Sequence, residues 1–276
     1  MKFENIRVMN FENALRGMRN PKESWSLSDS YFGFESADNV SERTNGQDYQ
    51  ILYRDGDIVE FASIGPNDMK LAQQLIKAGS EHRKFMRQIF VSVDITAPIY
   101  WWKEFDTYKV GTVANSTSTM HKLMSKPITI DCFEIDDFNN IEFPEEFQRT
   151  ELKYPIDPDV IQMVLIPYLE YLRQEWLKLQ GLIQSSSGDV EYIKSLEKRA
   201  KKIWKELVRW LPEAWLQKRT ITMNYENLLG MCSKGQRRFH KLNEWSGVDE
   251  PELDNFIAFA RELPYAQDFI FIDEVK

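Results

Sequence analysis

Few side chains in this sequence combine a type and a spacing that could support chemistry, and most of them lie between Ile89 and Leu123. Tyr108-Lys109-Val110-Gly111-Thr112 places a ring, a cation and a hydroxyl close together, and Asn115 and Ser118 follow at intervals of three. A lysine among hydroxyl and amide groups is the composition of a small-anion site, since a helix beginning there adds backbone donors. The run Asn115-Ser116-Thr117-Ser118-Thr119 equally reads as a polar loop and a helix N-cap, and the residues alone do not separate the two uses. Tyr108 can stack on a ligand ring or pack in the core. Of Trp101, Trp102, Phe105 and Tyr108, at least two are expected in the core, because adjacent residues on a helix do not share a face.

Other chemistries find no support. His82, His121 and His240 have no partner at metal-ligand spacing, and Cys132 and Cys232 stand far apart without a CxxC pattern. No helix-opening GxGxxG, Walker loop, HExxH or GxSxG elbow is present. The carboxylates show no paired spacing on one face. If the chain is an enzyme, a bound organic cofactor is expected to carry the reaction while the protein binds and orients.

The elements that must position these residues begin with a short strand expected over Ile6–Phe11, then a Ser- and Asn-rich stretch through Gly46. A hairpin follows: Tyr49–Tyr53, a turn at Asp55-Gly56, and Ile58–Ala62, with glycine accepting the positive φ of a tight turn. From about Asn67 a helix carries Met69, Ala72, Leu75 and Ile76 and stops at Gly79. Ile89, Val91, Val93 and Ile95 alternate with Phe90, Ser92 and Asp94, which is a half-buried strand ended by Pro98. Ile99–Tyr108 reads as an aromatic-rich helix. The second half is mostly helical. Asp157-Pro158 caps a helix through Leu179 that Pro167 should kink or split, and Val190–Leu211 is a second long helix closed by Pro212. A third helix begins near Asn224, and a fourth follows Asp249-Glu250-Pro251. Strands with short helices first, then packed helices, suit an α+β fold.

The chain has 276 residues, 42% hydrophobic and 28% charged, which is a globular composition. Acidic residues outnumber basic ones 43 to 35, for a net charge of −8, so a partner with a phosphate backbone is not expected. A local pocket for one small anion needs only a few cations. MKFENIRVMNF lacks the apolar core of a signal peptide and no run approaches a membrane span, so a cytoplasmic protein with reduced thiols is expected.

The order from Gly79 onward resembles the core of the flavin-dependent thymidylate synthases: an alternating strand, a Pro-Ile-Phe-like turn at Pro98-Ile99-Tyr100, and a helix with an Arg-Gln-Trp-like step at Lys103-Glu104-Phe105. The family signature RHRxxSxNxxSxR would then start at Thr107, with Tyr108 at its histidine, Lys109 at its second arginine and Thr112 at its first serine. One inserted residue brings Asn115 and Ser118 onto its asparagine and second serine, and puts Met120 where the last arginine would stand, with Lys122 two positions on. Ser80 takes the place of the family's histidine after the glycine, and His82 follows as a surface residue. Downstream, Met223–Leu229 resembles the Asn-Leu-Arg-Ser-Leu-Leu helix, with Glu226 at the nucleotide-contacting arginine. Arg237-Arg238 and Asn243-Glu244-Trp245 resemble the Arg-rich turn and Gln-Trp-Glu step. Taken by themselves, Arg83, Lys84 and Arg87 read as a solvated face, and Arg237-Arg238 as residues near a helix end.

The resemblance implies one thymidylate synthase-like α+β domain over 1–276, an antiparallel sheet with packed helices, with a divergent region 1–48 and an insertion 126–154. It implies FAD, with NADPH and methylenetetrahydrofolate as co-substrates, dUMP as the nucleotide, and a homotetramer with sites between subunits. Tyr108, Lys109, Thr112 and Asn115 would serve the cofactor, and Ser118, Arg237 and Arg238 the nucleotide. Lys for Arg forfeits the bidentate fork, and a carboxylate at Glu226 repels phosphate unless a cation intervenes. Reductive methylation of dUMP to dTMP is therefore expected to be weak or lost. The alternatives are a flavin or nucleotide binder without turnover, and a structural protein that has lost the ligand.

Overall fold

Every second side chain from Ile89 to Ala97 is apolar, and Ile89, Val91, Val93, Ile95 and Ala97 are all fully buried. From Val91 on they form the inner face of β5 (Phe90–Pro98) in a four-stranded sheet ordered β1-β5-β7-β6, where β1 is Lys2–Met9, β6 is Val113–Ser116 and β7 is Leu216–Asn224. The β1–β5 and β6–β7 pairs are antiparallel, in register at Phe3↔Ile95 and Ala114↔Ile221. A second, three-stranded antiparallel sheet, β2-β4-β3, comprises β2 (Tyr31–Ser36), β3 (Gln50–Asp55) and β4 (Ile58–Ser63). The hairpin β3–β4 turns at Gly56 with φ 58°, as its Asp-Gly signal predicts.

The computed structural model describes residues 1–118, 122–135, 161–187 and 189–274. Thr119, Met120, His121 and the Asp157-Pro158 cap lie outside the described residues, as does most of the insertion. The helices are α1 (Phe11–Met18), α2 (Val40–Arg43), α3 (Pro66–Lys77), α4 (Ile99–Phe105), α5 (Ile166–Ser185), α6 (Val190–Trp210), α7 (Tyr225–Met231), α8 (Asn243–Ser246), α9 (Phe256–Arg261) and α10 (Ala266–Phe269). Helices and antiparallel sheets in one chain make the fold α+β. The chain divides into two compact units: Met1–Thr96 with Glu104–Ser116 and Lys218–Lys276, and Ala97–Lys103 with Thr117–Gln217. No helix among the described residues is long and apolar enough to cross a membrane.

Several sequence expectations move. The first strand is Lys2–Met9, not Ile6–Phe11: Asn10 turns the chain at φ 73° and Phe11 opens α1. The Ser- and Asn-rich stretch holds α1, β2 and α2. Its structure follows from tertiary bonds to one buried carboxylate. Asp68 accepts Arg19 Nε at 2.6 Å, Ser28 Oγ at 2.6 Å and Ser30 Oγ at 2.7 Å, while Arg19 also donates to the carbonyls of Ser24 and Leu27. Asp29 caps the start of α3 from outside, accepting the Asn67 and Asp68 N–H groups at 2.9 and 3.1 Å. Strands β6 and β7 are also absent from the sequence reading, although Ile221 and Met223 alternate inward against Thr220 and Thr222.

In the second unit α5 and α6 pack together, α6 presenting Leu196, Ala200 and Leu207. The helical run expected through Leu179 divides at Pro167, a π-helical turn at Ile161–Leu165 giving way there to α5. Pro167 sits in the first turn, where its missing N–H leaves no bond unmade. Trp101 and Trp102 are both fully buried, with rings edge to face at 4.9 Å, and Trp102 Nε1 donates to Gln217 O.

The buried Arg173 grips Glu170 with Nε and Nη2 at 2.8 Å each and donates to Met124 O, while Glu170 accepts the Ile128 N–H at 2.8 Å. The Arg173 guanidinium, helped by the Ile128 N–H and opposed by burial, lowers the Glu170 carboxyl from the usual 4.5 to about 2. With the folded-state pKa depressed, the stabilisation is present above about pH 4.5 and lost as pH falls toward 2. Glu170→Gln is expected to lower the melting temperature at pH 7 and to flatten its fall across that window. Parallel curves for the two proteins would count against the pair.

Candidate functional site

Helix α4 ends where Thr107 Oγ1 donates to the Glu104 carbonyl at 2.7 Å, so it stops at Phe105 rather than reaching Tyr108. Phe105 is buried, stacked with Trp245 at 6.3 Å and edge-on to Phe256. The chain then turns through Gly111 at φ 80°, a conformation that favours glycine. A β-carbon there would lie 2.8 Å from both Asn224 Nδ2 and Asn227 Oδ1. Those asparagines form a capping box on α7, and Asn227 Nδ2 also donates to Val110 O at 2.7 Å. The loop 108–112 is thus pinned to a helix cap at one point and closed on itself by the Thr112 hydroxyl donating to Tyr108 O.

Tyr108 is held from its other side. Its hydroxyl accepts Arg237 Nε at 3.0 Å, and Gln236 Oε1 stands 3.3 Å away as its acceptor. Arg237 also donates to Glu104 at 2.8 Å and lies over the rings of Tyr108 and Trp245, at 5.5 and 5.1 Å. His240, edge-on to Trp245, accepts the Leu242 N–H on Nδ1. Burial first, then the Arg237 charge, hold its pKa below the ordinary histidine value.

Phe105, Asp106, Tyr108, Lys109, Thr112 and Ala114 line a cavity of about 260 Å³. Asp106 is tied to Arg219 at 2.8 Å, whereas Lys109 is exposed and makes no ion pair among the described residues. The cavity therefore has an aromatic and apolar wall, a hydroxyl, and one uncommitted cation at its mouth. A lining of that chemistry can accept a small ring carrying an anionic group.

Of the residues singled out from sequence, Tyr108, Lys109 and Thr112 come together here and Arg237 braces Tyr108. Asn115 does not join them. It pairs with Thr220, so it projects from the sheet face opposite Ala114, the face on which Thr220 donates to Asp94 at 2.6 Å. Asn115 lies in strand β6 rather than in a loop or cap, and Ser118 belongs to the second unit. Arg238 is buried and fully engaged: it donates to Cys232 O at 2.7 Å and to Asp273, and pairs with Glu274. Glu104, Asn224, Asn227 and Gln236 were not assigned to the site from sequence, although Asn224 was placed at a helix start. Only the Asn224-x-x-Asn227 spacing offered a signal, as a capping box.

Glu226 does not stand alone. Arg83 donates to it at 3.0 Å and Arg87 from two nitrogens, leaving the cluster net positive. Burial acts to raise the Glu226 pKa, but the two guanidiniums outweigh it and hold it low. Arg83 and Arg87 are therefore engaged with a carboxylate rather than a merely solvated face; Lys84 pairs with Glu81, and His82 is exposed.

No protein-family model matches this chain and no curated protein matches it. Among solved structures, the flavin-dependent thymidylate synthase ThyX from Helicobacter pylori complexed with FAD and dUMP is 15% identical, with all of both chains covered and a TM-score of 0.52. A second structure of that protein with FAD and dUMP is 13% identical, covering 99% of this chain and 98% of the other, with a TM-score of 0.49. The chain therefore has a thymidylate synthase ThyX-like α+β fold.

Proposed function

We propose that this chain is a flavin- and nucleotide-binding protein on the thymidylate synthase scaffold, in which ordinary conversion of dUMP to dTMP is weak or absent. The observation that carries the reading is the rigid loop 108–112, which sets Lys109 at the mouth of an aromatic cavity. Lys109 would hold a phosphate, Thr112 Oγ1 would accept a hydrogen bond, and Tyr108 would offer its ring. Arg237 acts as a positioning residue, because its Nε and Nη2 donate to Tyr108 and Glu104. A cavity of about 260 Å³ takes one ring system with its phosphate. A whole FAD would need walls from a second chain, in keeping with a homotetramer. Asn115 and Ser118 would contribute only from such a larger site. The Arg83–Glu226–Arg87 cluster supplies the cation that a carboxylate at position 226 requires beside a nucleotide phosphate. Bound FAD supplies hydride chemistry, with NADPH as reductant and methylenetetrahydrofolate as carbon donor in an active form. Weak turnover follows from diverted arginines: Arg238 is internal, and Arg83 and Arg87 are half committed to Glu226. A cytoplasmic place suits this use of nucleotides.

FAD titrated into the purified chain is expected to change its absorbance near roughly 450 nm. Lys109→Ala should weaken the binding by about 10-fold, the loss of one charge-assisted hydrogen bond. Tritium release from labelled deoxyuridylate with NADPH and folate should stay near background. A chain that binds neither FAD nor dUMP overturns the proposal.

A further inference from the structure

In the first compact unit a second cavity, of about 380 Å³, lies where β1 and the opening turn of α1 meet the sheet β2-β4-β3. Its walls and those of the Lys109 cavity have no described residue in common. The β2–β4 register sets Phe32 opposite Ala62 and Phe34 opposite Glu60, so alternation puts Phe32, Phe34 and Glu60 on one face. Arg7 of β1 reaches that face, donating from Nη2 to Glu60 at 3.1 Å and lying 4.4 Å from the centre of the Tyr53 ring. Glu12, in the first turn of α1, lines the same cavity.

Several of these groups are uncommitted. Phe34 is 65% exposed, and neither its ring nor that of Phe32 packs on another ring among the described residues. The Glu12 carboxylate has no hydrogen-bond or ion-pair partner among them. The Arg7 guanidinium bonds through Nη2 alone, and its Nε is a buried donor without an acceptor. Same-face neighbours on a strand stand about 6.6 Å apart. A flat ring in contact on both faces at about 3.5 Å needs roughly 7 Å, so one ring fits between Phe32 and Phe34. The charges select its type. Glu12 and Glu60 outnumber Arg7, which disfavours an anion and favours a neutral ring that donates N–H groups. A carboxylate accepts two adjacent N–H donors, and a guanidinium donates to a carbonyl. Guanine offers both, a carbonyl acceptor and an edge with a ring N–H beside an amino group. We propose that this cavity binds a guanine base between Phe32 and Phe34, with Glu12 accepting its two N–H groups and Arg7 donating to its carbonyl. The site opens to solvent at Phe34, which leaves room for the sugar of a nucleoside. It stands whether or not the Lys109 cavity takes a ligand.

Calorimetric titration of the full chain with guanosine tests it. Guanosine is expected to bind, and adenosine, which has no carbonyl and no ring N–H on that edge, at least about 10-fold more weakly. Glu12→Gln and Phe34→Ala, both at exposed positions, should each weaken guanosine binding about 10-fold with circular dichroism unchanged. Lys109→Ala should bind guanosine as the wild type does, since that cation stands at the other cavity. A wild type that does not bind guanosine, or binds adenosine equally well, overturns the proposal. So does loss of guanosine binding in Lys109→Ala, or wild-type affinity in Glu12→Gln or Phe34→Ala.

Discussion

The Asp68→Ala chain is expected to melt on the order of 10 °C below the wild type. Asp68 is fully buried and accepts from Arg19, Ser28 and Ser30, so its removal strands a guanidinium that is itself 4% exposed. Leaving one partner of a buried ion pair costs about 3–5 kcal/mol, a large share of the roughly 5–15 kcal/mol that holds a domain folded. The loss should be local in its first expression, because Arg19 also ties down the Ser24 and Leu27 carbonyls and Asp29 caps α3 next to Asp68. Amide exchange should accelerate first across residues 19–30 and the opening turn of α3. The exposed pair Lys84–Glu81, at 3.6 Å, provides the contrast: Lys84→Ala should leave the melting temperature unchanged. An Asp68→Ala protein that melts with the wild type would show that the buried network does not hold the N-terminal region in place.

Gly111→Ala has the second large effect, and it falls on the site. A β-carbon at φ 80° is strained by about 1–2 kcal/mol and must also displace Asn224 or Asn227, each 2.8 Å away. Displacing either opens the capping box of α7, worth about 1 kcal/mol, and loosens the Asn227–Val110 bond that holds the loop. Lys109 and Thr112 would then lose their fixed positions beside the cavity. FAD affinity is expected to fall about 10-fold or more, for a total disturbance of roughly 2–3 kcal/mol. The Val110–Thr112 amides should exchange faster while β5 stays protected. Asn227→Ala should reproduce part of the loss without adding strain. If Gly111→Ala binds FAD as the wild type does and exchanges no faster, the loop is not what positions Lys109.

What the sequence determined by itself was whatever depends on local periodicity and turn chemistry. The alternation at Ile89–Ile95 identified the central strand, Asp55-Gly56 the hairpin, and the 3.6-residue spacing of Leu196, Ala200 and Leu207 the face of α6. These signals survive because each element buries one face, and the burial pattern is written into consecutive residues. The order of elements around Lys109 was also enough to suggest a thymidylate synthase-like fold. The polar opening stretch was illegible, since its folding depends on Asp68, a residue distant in sequence. Strands β6 and β7 were hidden for a related reason: β6 is exposed throughout, and β7 gains its place by lying between β5 and β6. The fates of the arginines were decided only in three dimensions. Arg237 and Arg238 are neighbours in sequence, yet one braces Tyr108 and the other is locked onto Asp273. Glu226 looked like a charge reversal that would repel phosphate unless a cation intervened, and the fold brings Arg83 and Arg87 onto it. Electrostatics depends on distance in space, and no spacing along the chain encodes the 143 residues that separate Arg83 from Glu226.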